Sequence, residues 1–160
     1  MRRRNFVMLP AYADLAWSGI ARAEQGHQRI SPFLIDLPGW TAAPPAGSEV
    51  EARGGRVVTA SRSYTRGEAV LAASVISGTA ASARGNGNVS IKLKPVHENT
   101  SVIDGFQVKL VSTPILVIVA ITLSADATFS LVFNNVSEDE AMTIARTFDW
   151  ARIRAALDER

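Results

Sequence analysis

Arg56, Arg62, Tyr64 and Arg66 stand at even positions along one stretch of chain, with Val58 and Ala60 between them. Side chains in a strand alternate between its two faces, so a regular strand here lines one face with three guanidinium groups and a phenol. Such a face can grip a carboxylate, a phosphate or an acidic partner through charge-assisted, often bidentate, hydrogen bonds. The same charges would equally protect a solvated edge strand from pairing with another chain. Lys92, Lys94 and Lys109 extend the patch if their strands pair nearby, with Gln107 among them.

No catalytic constellation stands out elsewhere. His27 and His97 are the two histidines, and there is no cysteine. Thiol catalysis, Cys-ligated zinc and iron–sulfur clusters are thereby excluded. A metal site would need both histidines plus carboxylates at spacings the chain does not show, so no metal is expected. His27 is read as part of a polar N-terminal tail, and His97, after Pro95 and beside Glu98, as a solvated loop residue. No Gly-x-Ser-x-Gly elbow is present. Asp36, Asp104, Asp126 and Asp149 sit where turns and caps want a carboxylate, without a pairing that suggests acid–base work. Gly85-Asn86-Gly87-Asn88 lacks the Lys and helix start of a phosphate-binding loop, and nothing calls for a cofactor.

The elements that must position these residues can be read from pattern. Residues 24–31 are polar and read as extended, and Pro32 to Pro38 as a short strand closed by Pro38-Gly39. Residues 42–47, with Pro44 and Pro45, read as a loop, and Gly54-Gly55 as a turn. Val57–Tyr64 and Ala69–Ile76 flank Thr65-Arg66-Gly67-Glu68 and predict a β-hairpin. Ser90–Lys94 and Phe106–Leu110 alternate, the latter following an Asp104-Gly105 turn. Ile115–Leu123 is too short for a membrane helix and fits a strand covered on both faces, followed by Thr128–Phe133 as the other half of the sheet centre. Ser137-Glu138-Asp139-Glu140 has the form of a capping box, in which the Ser137 hydroxyl and the Glu140 carboxylate each bond the other's amide. Ala141, Ile144, Ala145 and Phe148 then share one face, and Asp149 caps a second short helix carrying Trp150, Ile153 and Leu157. Trp40 and Trp150 are read as packing residues. The fold class expected is α+β: a mostly antiparallel sheet covered by a C-terminal amphipathic helix.

The first 23 residues read as a cleavable signal peptide, leaving 24–160 as a single α+β domain, with an amphipathic N-terminal helix that stays on the protein as the alternative. Met1 to Asn5 is basic, Phe6 to Ile20 is apolar apart from Pro10 and Asp14, and Ala21-Arg22-Ala23 supplies a small-x-small site with Glu24 as the first mature residue. Arg3-Arg4-Asn5-Phe6-Val7 resembles a twin-arginine signal, so the twin-arginine and general secretory routes both stay open. Four of the 17 Lys and Arg residues and one of the 15 Asp and Glu residues fall in this leader, leaving 13 against 14. The pI of about 9.4 therefore belongs to the leader. The mature domain lacks the charge of a phosphate-backbone binder, and no nucleic-acid partner is expected. A periplasmic or secreted location follows, with no transmembrane segment in the mature chain.

Phe33-Leu34-Ile35-Asp36-Leu37-Pro38-Gly39-Trp40 resembles the opening of PsbP/Mog1-like domains, and the layout that follows is similar to theirs: hairpin, variable middle, meander, final helix. The resemblance implies a non-enzymatic accessory or binding module and carries over no set of site residues. The expected function is an exported binding module acting on a protein partner or small anionic ligand through Arg56, Arg62, Tyr64 and Arg66. Two alternatives stand beside it. One is a small cofactor-independent hydrolase or lyase with a dispersed site at His97, which needs a pocket there. The other is a self-assembling structural subunit.

Overall fold

The computed structural model describes residues 25–52, 55–78 and 95–158. The leader, the Gly54 side of the first turn and the Ser90–Lys94 strand all involve positions outside them. The chain is α+β. Eight strands form one antiparallel sheet: β1 (Thr41–Ala42), β2 (Ala46–Ala52), β3 (Gly55–Arg66), β4 (Ala69–Ser77), β5 (His97–Ile103), β6 (Phe106–Ser112), β7 (Leu116–Ser124) and β8 (Ala127–Asn134). Their order across the sheet is β1-β3-β4-β8-β7-β6-β5, with β2 also on β3. Three helices are described: α1 (Gln25–Ile30), α2 (Glu138–Ala145) and α3 (Trp150–Asp158).

The hairpins form where turn chemistry dictates. β3 and β4 close through Gly67-Glu68, with Arg66 opposite Ala69. Asp104 and Gly105 take φ of 51° and 81°, the type I′ geometry whose twist matches the flanking strands. β7 lies at the sheet centre and buries every residue from Val117 to Ile121, as an apolar run covered on both faces must. On β8 the alternation is strict: Phe129, Leu131 and Phe133 are fully buried, and the residues between them are half-buried.

The core holds Ala60 and Tyr64 of β3, Leu71 and Val75 of β4, the inward residues of β6 to β8, and Ala141, Ala145, Phe148 and Ile153 of the C-terminal segment. Phe129 and Phe148 meet edge to face at 5.1 Å, a geometry that adds to area burial. The Ser137 hydroxyl accepts from the Glu140 amide at 3.3 Å, so half of the capping box forms. The Glu140 carboxylate instead accepts from Arg66 at 2.5 Å. Asp149 caps α3 by accepting from the Arg152 amide at 3.0 Å. The Trp150 indole is buried and donates to the Ala145 carbonyl at 2.9 Å.

The N-terminal part differs from the sequence reading. Gln25–Ile30 is helical rather than extended, and Ser31–Phe33 continues as a 3-10 turn with Pro32 near its start. The expected strand over Pro32–Pro38 is therefore absent. Ile30, Leu34 and Leu37 are the buried residues here while Ile35 is 37% exposed. That three-to-four spacing belongs to a turning chain, whereas a strand would bury alternate positions. Pro38-Gly39 does make the turn, with Trp40 N–H donating to the Leu37 carbonyl and Gly39 at φ 78°. The expected loop over 42–47 holds the end of β1 and the start of β2, both on β3. Pro44 and Pro45 interrupt that edge because neither has an N–H for the ladder.

Candidate functional site

The even-numbered face of β3 points inward. Ala60 and Tyr64 are fully buried on it, so the arginines between and beyond them meet the chain's own segments. Each has its own carboxylate. Arg56 pairs with Glu49 of β2, Arg62 with Asp36 at 2.5 Å, and Arg66 with Glu140 of α2 at 2.5 Å. The Arg66 guanidinium also lies 4.5 Å from the Trp40 ring centroid, a cation–π contact that holds Trp40 against β3. The structure thus aligns Arg56, Arg62, Tyr64 and Arg66 on one strand face but does not gather three guanidiniums on one open surface. Lys109 pairs with Glu98 at 2.7 Å, between β5 and β6 on the far side of the sheet, with Gln107 exposed nearby.

Arg62 is the hub. Its Nε donates to the Ala43 carbonyl at 2.8 Å, Nη1 to the Leu34 carbonyl at 2.6 Å, and Nη2 to Asp36 Oδ1 at 2.5 Å. The Ala43 bond supplies a donor where Pro44 and Pro45 break the ladder. Tyr64 donates from Oη to the Ile35 carbonyl at 2.9 Å, and the Arg62 guanidinium stands 5.5 Å from the Tyr64 ring centroid. Two side chains of β3 therefore satisfy consecutive carbonyls of a segment that has no strand partner among the described residues. Burial pushes the Tyr64 phenol up to about 12, against the opposing pull of the Arg62 charge.

An open groove of about 590 Å³ lies where α1, the 34–36 segment and Arg62 meet, lined also by Ser31, Pro32 and Pro45. This volume is within the range of small-molecule sites. His27 forms part of its wall, in a helix and half-buried rather than in a polar tail. α1 fits closely on β2 here. A Cβ at Gly47 would lie 2.5 Å from His27 Cβ and 2.6 Å from the Thr59 carbonyl oxygen, and a Cβ at Gly26 would run into the Glu49 carboxylate. His27 Nδ1 and Glu49 Oε2 are buried with no hydrogen-bond partner among the described residues. Sequence reasoning missed this groove. Its one local signal is the pair of glycines, each opposite a titratable side chain on the facing element.

His97 opens β5 rather than lying in a loop, and its side chain is 53% exposed. Its Nδ1 lies 2.8 Å from Glu138 Oε2. The Ser112 hydroxyl also bonds Glu138, and Ser112 with His97 holds that carboxylate below its ordinary range. The carboxylate thus sits between serine and histidine. A nucleophilic triad needs the imidazole in the middle to take the serine proton, so this order ties the edge strand to the start of α2 without activating Ser112. Among the described residues no cluster of three or more His, Asp and Glu residues could hold a metal ion. None of their helices is long and apolar enough to cross a membrane. No family model matches the chain, and neither a curated protein nor a solved structure matches it.

Proposed function

We propose that this chain is an exported, non-enzymatic accessory module of PsbP/Mog1-like layout, its sheet covered by the C-terminal helices, and that it binds a protein partner or small anionic ligand in the groove beside Arg62. The observation that carries the reading is the groove itself. It is an open groove with a fixed guanidinium, a carboxylate and a half-buried imidazole beside Pro32, Ile35 and Pro45. Those are the ingredients of recognition: apolar area for affinity and a few placed polar groups for orientation. The leader reading places the module in the periplasm or outside the cell, with Glu24 as its first residue.

Two measurements test it. A photo-crosslinking residue at Gln28, on the groove wall, should yield an adduct in the native host that the same residue at Thr100, on exposed β5, does not. Absence of a Gln28-specific adduct would overturn the binding site. Intact-mass analysis should show the protein starting at Glu24; retention of Met1 would overturn the export reading.

A further inference from the structure

We propose that Asp36 is a placeholder anion on Arg62, and that the groove takes the carboxylate of an acid with an apolar body in its place. This deepens the binding reading above and rests on it. The two partners of the ion pair are held very differently. The Arg62 side chain is 15% exposed and the Asp36 side chain 84%. Arg62 is tied from behind by the Leu34 and Ala43 carbonyls and backed by the Tyr64 ring. Asp36 has the bond from Arg62 as its one hydrogen bond among the described residues.

A cation anchored on its inner side, and shared on its outer side with a loosely held carboxylate, is a preorganised anion receptor. A guanidinium so enclosed needs a counter-charge, so an arriving anion exchanges with Asp36 and leaves the local charge unchanged. That conservation selects a single negative charge over the higher charge of phosphate. Pro32, Pro45 and Ile35 on the walls select an apolar body behind the carboxylate. Exposed ion pairs shift their own equilibria only about two- to five-fold, so a ligand with a few extra wall contacts can displace Asp36. The carboxylate can belong to a free acid or to the chain end of a partner.

The test is a titration of the isotope-labelled full chain, following the Arg62 side-chain N–H and the Gln28 and Ser31 amides by NMR. The probes are benzoate, benzyl alcohol, inorganic phosphate, and a pentapeptide ending in Leu as the free acid or the amide. Benzoate or the free-acid peptide should shift these signals saturably, while the alcohol, the amide and phosphate should not. Asp36→Ala should tighten the acid about two- to five-fold, and Asp36→Asn gives the same reading if the alanine variant is poorly folded. Preference for benzoate assigns a free acid; preference for the peptide assigns a chain end. Equal binding of acid and alcohol, or no tightening in either Asp36 variant, overturns the exchange while a Gln28 crosslink keeps the groove as a binding site. Shifts with phosphate alone overturn the choice of carboxylate.

Discussion

Replacing Arg62 by Ala separates two roles for this residue: an anchor for the N-terminal segment, or a free cation on the surface. As an anchor it makes two donations to backbone carbonyls and one to a carboxylate. Hydrogen bonds from charged donors contribute about 1.5–3 kcal/mol each when dry and less when partly wet. The Asp36 carboxylate is largely exposed, so that bond contributes at most ~1 kcal/mol. With about 1 kcal/mol for each carbonyl, Arg62→Ala should cost about 2–3 kcal/mol. Asp36→Ala should cost less than about 1 kcal/mol. Arg62→Lys should recover only part of the loss, because an ammonium cannot reach three acceptors in the plane of a guanidinium. Urea unfolding followed by tryptophan fluorescence reads all three, provided the denaturant slope is unchanged. If Arg62→Ala lies within about 1 kcal/mol of the parent chain, Arg62 is not an anchor and the groove holds no fixed cation.

Tyr64→Phe should change the alkaline limb of the stability curve. The phenol titrates higher in the fold than in the unfolded chain, at about 12. Its contribution is therefore complete below pH 10 and lost as pH rises through about 12, so the phenylalanine variant should lose less stability over that window in pH-dependent urea unfolding. Gly47→Ala forces a Cβ onto His27 and the Thr59 backbone; about 1–3 kcal/mol of destabilisation and faster hydrogen exchange across α1 are expected, and parental exchange rates would show that α1 does not pack there. Ser137→Ala removes the α2 cap and should cost about 1 kcal/mol in thermal or urea unfolding. His97→Ala should cost less than about 1 kcal/mol, since the pair with Glu138 is largely solvated.

The parts of the fold legible in the sequence were those whose signals are local. The hairpin across Gly67, the Asp104-Gly105 turn, the apolar β7 run and the Ser137 and Asp149 caps each declare themselves within a few residues. The 32–38 segment does not. Phe33, Leu34, Ile35 and Leu37 look like strand residues, but the Leu34 and Ile35 carbonyls are satisfied by Arg62 and Tyr64 of a strand that comes later in the chain. β2 is similarly hidden, because Ala46-Gly47-Ser48-Glu49 has little strand character of its own and is extended by pairing with β3. The alignment of Arg56, Arg62, Tyr64 and Arg66 was legible, but their partners were not. A period-2 pattern says that residues share a face; it does not say whether that face meets solvent or the core.

The strand order also says how the sheet is put together. β1 to β4 are neighbours in sequence and in space, and so are β5 to β8. Among the described residues, the β4–β8 ladder from Val70↔Asn134 to Ser77↔Ala127 is the one ladder that joins the two groups. The described sheet is thus two groups of strands zipped along a single line. Each can form from near contacts, whereas the zip needs residues far apart in the chain, so closing it should govern the folding rate. The same arrangement marks where the chain can be divided. One fragment carrying β1 to β4 and another carrying β5 to β8 would each keep their own hairpins, and mixing them would rebuild the described sheet along that one ladder, as a split reporter does.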